Sequence, residues 1–383
     1  MRSAIATLFG ASLLGAASPA AAADIDVMTQ NQYLGADLAP VLAAQSPAEF
    51  NAAVVAALKK IAAVRPSDRA RALADEIEGR KPDVVGLQEA YRFACLPYPQ
   101  SPAPAAGTGC DDPAIKGAFT DHLQNTHAAL HGKYVLAGKV TNLDVPEIPF
   151  FHNGVWSILQ VADHDAVLVR RGLPWTAVDL ASMTGCARSG DGCNFAIAPV
   201  VPVPGGTIAV KRGYLAVDLT VEGQTYRVFN THLEQRLLAE NLPATRLIQV
   251  GQAQELLGAT WAPMSAGRKA IVVGDFNSAP VDSIPDGVPT PYQLFTVVGG
   301  FTDAWTQRPQ ADAGYTCCQS EGLTNRKSEL YERIDLIFSL TPPRHVKAMK
   351  LLGDKTGDKT RPPGRDGLWP SDHAAVAARL SFD

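Results

Sequence analysis

The stretch GYLAVDLTVEGQTYRVFNTHLE (213–234) constrains the fold most. Apolar and polar residues alternate on both sides of Val221-Glu222-Gly223-Gln224, where glycine supplies the positive φ of a tight turn. An isolated hairpin is marginal in water, so its apolar face needs a second layer. The continuation provides one. A helical period over 235–258 leads into Ile271-Val272-Val273, β-branched residues suited to a buried strand. Hairpin, helix and strand in succession predict an α/β domain.

The rest of the chain repeats these elements. DIDVMTQN (24–31) alternates as a strand, and residues 47–79 follow a helical period that restarts at Pro66-Ser67-Asp68. PDVVGLQEA (82–90) is a short apolar strand with a polar exit. Residues 96–113, rich in Pro, Ala and Gly, read as a surface loop. A helix near 114–131, strands at 133–140 and 165–170, and strands in ERIDLIFS (332–339) and HAAVAARLSF (373–382) complete the pattern. Without an internal repeat or low-complexity linker, residues 24–383 are expected to form one domain of two largely antiparallel sheets packed together.

Residues 1–23 stand apart. Met1-Arg2, the apolar run Ala4 to Ala17 and the small residues 18–23 fit a secretory signal peptide cleaved near Ala22 or Ala23. The apolar run is too short to span a bilayer. A secreted or periplasmic protein is expected. The chain carries a net charge of −4, and loss of Arg2 makes it slightly more negative. Such a balance argues against a tight, non-specific nucleic-acid coat, though not against an enzyme that turns over. In an exported chain the six cysteines favour disulfides. Short loops pair Cys95 with Cys110 and Cys186 with Cys193, leaving Cys317 and Cys318 as neighbours. Their spacings fit no zinc motif.

Polar residues collect where apparent strands end: Asn31, Gln88-Glu89, Asn230-Thr231-His232, Asp275 with Asn277, and Asp372-His373. Any one pair could cap a turn. Five strand ends bearing Asn, Glu, Asp and His describe one basin. Carboxylates and carboxamides without thiolates favour a hard cation such as Mg²⁺ or Mn²⁺, and histidine can take a proton from water near neutral pH. The chemistry indicated is metal-assisted hydrolysis of a phosphate ester.

In their order along the chain, TQN (29–31), LQEA (87–90), NTHLE (230–234), GDFNSAP (274–280), RIDLIF (333–338) and SDHAAV (371–376) resemble the endonuclease/exonuclease/phosphatase superfamily. QNQYLGADL (30–38) further resembles exported bacterial members. The resemblance implies a four-layer α/β sandwich, two mostly antiparallel β-sheets flanked by helices. It implies Glu89 as the principal metal ligand, with Asn31 assisting and Asp372 beside the metal or a second cation. It implies Asp275 orienting or helping to activate the attacking water, Asn277 holding a phosphate oxygen, and His373 as general base with Asp335 on its far nitrogen. His232 would donate to a phosphoryl oxygen or the leaving group, with Asp165 a loose match for its support. The family's tyrosine-type phosphate contact has no clear counterpart.

Within that resemblance the expected substrate is nucleic acid, with a phospholipid head group as the alternative, and no obligate protein partner is inferred. Lys355 to Arg365 could border the pocket and meet phosphates, although solvated loop charges are the simpler use. Phe150-Phe151 and Trp156 could serve a lipid interface, with core packing the expectation.

Overall fold

Alternation along the strands sorts the side chains into three apolar layers. In the computed structural model, which describes residues 23–99, 107–236, 243–261, 268–308, 312–361 and 364–383 without the side chains of 243–245 and 286, Val27 faces one layer and Met28 the next. Val84 and Val85 divide in the same way, as do Val272 and Val273, because successive strand residues point to opposite faces. The middle layer joins two sheets, with Ile25, Val84 and Val167 meeting Val217, Val228 and Ile271. The outer layers are covered by helices. Ala74 and Ile77 of the helix Pro66–Arg80 lie on one sheet, and Val250, Ala253 and Leu256 of the helix Pro243–Thr260 lie on the other. This is the four-layer sandwich.

Among the described residues one sheet has seven strands and the other eight. At the centre of the first, Ala23–Asn31 runs parallel to Val84–Gln88 and antiparallel to Ala375–Phe382. At the centre of the second, Gln224–His232 runs parallel to Lys269–Asp275, which is antiparallel to Asp335–Ser339. Parallel neighbours end together, and antiparallel neighbours begin where the others end. All five polar strand ends therefore reach one rim of the sandwich.

Several boundaries differ from expectation. The predicted helix over 114–131 is α-helical only over His122–Ala129, entered through the Asp121 cap. The predicted strands at 133–140 and 165–170 belong to a long hairpin arm, Tyr134–His152 against Val155–Arg170. Arg92–Pro97 pairs with that arm, so a strand enters the segment read as loop. Residues 1–22, carrying nearly all of the expected signal peptide, lie outside the described residues, as do 237–242 of the expected long helix. Cys95 is joined to Cys110, Cys186 to Cys193 and Cys317 to Cys318. No described helix is long and apolar enough to cross a membrane.

Candidate active site

Strand register brings the site together. His232 pairs with Asp275, Asp275 with Asp335, and Asn31 with Gln88, immediately before Glu89. The chain then turns sharply. Glu89 and Asn277 both adopt left-handed backbone angles, with φ of 51° and 46°, a conformation uncommon for non-glycine residues and concentrated at functional sites. Ser371 fixes the last segment, its hydroxyl donating to Asn31 O at 2.7 Å and accepting from His373 N at 3.1 Å.

Asp335 Oδ2 lies 2.8 Å from His373 Nδ1, so the free nitrogen, Nε2, faces the hollow. Nε2 is 3.9 Å from Asp275 Oδ2 and 4.0 Å from Asp372 Oδ1. Asp275 is held on two sides. Asn31 Nδ2 donates to Oδ2 at 3.0 Å, and the Asn277 amide donates to Oδ1 at 2.8 Å. Asn277 Nδ2 donates to Leu233 O and sits 3.1 Å from His232 Nε2. Glu89 Oε2 accepts from Leu34 N, and Asn31 Oδ1 from Tyr33 N, leaving each carbonyl-type group further lone-pair capacity.

The electrostatics follow from crowded acids. Burial and repulsion from Asp335 push Asp275 up to about 7, and burial with repulsion from Glu89 and Asp335 does the same to Asp372. Burial works against a charged His373, yet Asp335, Asp372 and Asp275 outweigh it and hold the proton on. Burial, Arg212 and His373 push His232 the other way, keeping it neutral. Asp275, Asp335 and His373 each offer a ligand atom within 4.8 Å of the others, and Asp335 Oδ1 is buried without a hydrogen-bond partner among the described residues. With Glu89 and Asp372 close enough to repel one another and Asn31 bonded to Asp275, this oxygen-rich, negatively charged basin fits a hard divalent cation.

Some neighbours carry no sequence signal. Arg212 Nη1 lies 3.1 Å from His232 Nδ1, and its guanidinium also faces Glu234 at 3.5 Å and Asp163 at 3.8 Å. Asp165 does not support His232 as loosely expected. It accepts from Asn142 instead, because the arginine already occupies that side of the ring. Buried Arg69 donates to the carbonyls of Gln32, Tyr33, Val64 and Pro370, tying the segments after Asn31 and before Asp372 to one helix. Asn230 bridges the sheets, donating to Leu87 O and Ala166 O and accepting from Gln88 Nε2. Within the Lys355 to Arg365 run, Lys359 and Arg361 make other contacts. Lys359 donates to Asn325 O, and Gly357 to Arg361 line a cleft of about 730 Å³ beside the helix Pro66–Arg80. Phe150 is core, whereas Phe151 and Trp156 are 42% and 47% exposed, contrary to their expected packing, since the arm extends past the layers that would cover them.

The model of the endonuclease/exonuclease/phosphatase family matches residues 50–373. Among solved structures, a family protein from Bacteroides thetaiotaomicron is 17% identical with a TM-score of 0.53, covering 95% of this chain and 99% of its own. A mannosyl-6-phosphatase from the same organism is 17% identical at 0.52, covering 94% and 100%. A family protein from Beutenbergia cavernae is 19% identical at 0.50, covering 94% and 72%. At these identities the likeness is one of fold. No curated protein matches the chain in sequence.

Proposed function

Because this chain belongs to the endonuclease/exonuclease/phosphatase family, we propose that it is a divalent-metal-dependent phosphodiesterase acting on nucleic acid. The observation that carries this is the Asp335–His373 pair aimed at the hollow shared by Asp275, Asn277 and His232.

Glu89, Asn31 and Asp372 would hold Mg²⁺ or Mn²⁺. Bound there, the ion would offset phosphate charge and lower the pKa of water. His373, oriented through Nδ1 by Asp335, accepts the proton of the attacking water at Nε2. It can do so once the pull of Asp372 and Asp275 on its proton is neutralised. Asp275 orients that water. Asn277 and neutral His232 donate to phosphoryl oxygens as charge develops on them.

The test offers purified protein plasmid DNA, RNA, sphingomyelin vesicles, a sugar 6-phosphate and a soluble chromogenic diester. Turnover should need Mg²⁺ or Mn²⁺, stop with chelator, and fall roughly 10²- to 10⁴-fold in His373→Ala. Absence of metal-dependent turnover on every ester would overturn the proposal.

A second substrate class is favoured by the arm. Tyr98, Phe151 and Trp156 form an exposed aromatic cluster near its tip, with ring centroids 5.3 and 6.1 Å apart. The strand from Asp163, beside the site, to Val155 extends roughly 25 Å beyond it at strand rise. Aromatic rings presented this way suit a phospholipid interface. Faster turnover on vesicles than on the soluble diester, lost in Trp156→Ala with soluble turnover intact, would select the lipid. Export of a chain beginning near residue 24 belongs to the same proposal. Its support is the N-terminal pattern and the three disulfides, which persist in oxidising compartments. N-terminal sequencing of the secreted product tests it.

A further inference from the structure

Cys317 and Cys318 border the hollow, although the hydrolytic chemistry uses neither. Cys317 forms an antiparallel bridge with His373. On either side of that bridge Gln319 N donates to Asp372 O and Ala374 N to Thr316 O, both at 2.8 Å. Thr316 Oγ1 also accepts from the amides of Ile334 and Asp335 at 3.1 Å. The segment carrying the cysteines is thus pinned to both loops that deliver the Asp335–His373 pair. The two Sγ atoms and a ring nitrogen of His373 all lie within 4.8 Å of one another. Cys317 is buried, and Cys318 is half-buried.

We propose that Cys317 and Cys318, with His373 as third ligand, form a site for a thiophilic divalent cation that opens on reduction and takes His373 out of catalysis. The binding stands on the cluster itself; only its effect on turnover rests on the hydrolase proposed above.

As a disulfide the two sulfurs carry no charge and make poor ligands, so the oxidised site is closed. A dithiol reductant transfers two electrons: the Cys317–Cys318 bond breaks, two thiols form, and the reductant leaves as its own disulfide. On meeting Zn²⁺ or Cd²⁺, each thiol releases its proton to solvent and both thiolates bind, cancelling the ion's charge. The imidazole completes three ligands of a tetrahedral set, with water in the fourth. Donor softness then sorts the cations around one histidine, Mg²⁺ to the carboxylates and Zn²⁺ or Cd²⁺ to the sulfurs.

The test reduces the full chain with a dithiol, removes the reductant and titrates Cd²⁺, reading the ultraviolet thiolate-to-cadmium charge-transfer band. Reduced protein should bind one tight equivalent that oxidised protein does not. That equivalent should vanish in C317S/C318S, which keeps the other four cysteines, and the single variants should each weaken the band. Affinity should fall roughly 10-fold or more in H373A. A band that persists in C317S/C318S, or an affinity unchanged in H373A, overturns the site. In parallel, stoichiometric Zn²⁺ should abolish Mg²⁺-supported turnover of the reduced protein, restored once the Zn²⁺ is stripped with a chelator, the protein reoxidised, the chelator removed and Mg²⁺ and Zn²⁺ added back, while C317S/C318S stays active throughout. Zn²⁺ inhibition equal in both proteins counts against the gate. Because the Cd²⁺ titration needs no turnover, an inactive enzyme would sink the hydrolase and leave the site decided.

Discussion

Arg212 decides which nitrogen of His232 carries the proton. A guanidinium only donates, so the Nδ1 facing it must accept, and the ring proton sits on Nε2 toward Asp275 Oδ2 at 3.5 Å. The same cation lies between the carboxylates of Asp163 and Glu234. Arg212→Lys keeps a charge between the acids but loses the fork that reaches the ring. Its kcat should fall roughly 10²-fold, the scale for losing one oriented donor, with Tm little changed. Arg212→Met should also destabilise the fold by about 3 kcal/mol or more, because it strands buried acids. Steady-state kinetics and thermal melts of the pair check both; an active, destabilised Arg212→Lys would remove the arginine from the chemistry. Little of this was legible in the sequence. Asp275, Asn277 and His373 announce themselves as polar residues at the ends of apolar strands, whereas Arg212 stands just before the hairpin with no pattern around it to single it out. A buried charge paired across strands leaves no periodic trace.

At the scale of elements, alternation carried the most information where two layers press on a strand. The hairpin at 213–232 and the strand at 269–275 were recoverable because each residue's side is fixed by the core it meets. The arm was not. Its strands slip register near Leu136, Thr141 and Val145 and include Pro146 and Pro149, so no steady period of two survives. The spacing between the sheets also hides in one residue. A Cβ on Gly86 would stand 2.4 Å from Asn230 Oδ1 and 2.7 Å from Val273 Cγ2, where the sheets meet through the Gln88–Asn230 bond. Gly86→Ala should therefore cost about 1–3 kcal/mol by overpacking and should slow turnover by shifting His232 relative to Glu89. Gly79→Ala, whose Cβ would meet no described atom within 4 Å beyond the backbone of its own helix, should be neutral or stabilise by up to about 1 kcal/mol. Denaturant melts of the two alanines separate interior crowding from a general glycine effect. Equal stabilities would deny that this approach sets the sheet spacing.

Over the whole molecule, the hollow couples folding to protons and cations. Burial and acidic neighbours push Asp163, Asp275 and Asp372 up to about 7, against an ordinary value of 3.8. The folded, metal-free chain then holds protons near neutrality that the unfolded chain has released, so its stability rises as pH falls. His373, held protonated by the same acids, pulls in the same direction. Burial and Arg69 push His122 down to about 3, and His232 is also depressed, so both oppose this trend, but chiefly below their ordinary value of 6.5. The informative window is pH 8 to 6.5. There the metal-free protein should gain about 1–2 kcal/mol, seen as a Tm higher by roughly 1–3 °C at the lower pH. Saturating Mg²⁺ should flatten the slope, since the cation takes the place of the protons, and should add about 2.7 kcal/mol at a hundredfold excess over Kd. A metal-free Tm that is level or falls across this window would mean that the acids do not share one field, and the fit of the hollow to a hard cation would fail with it.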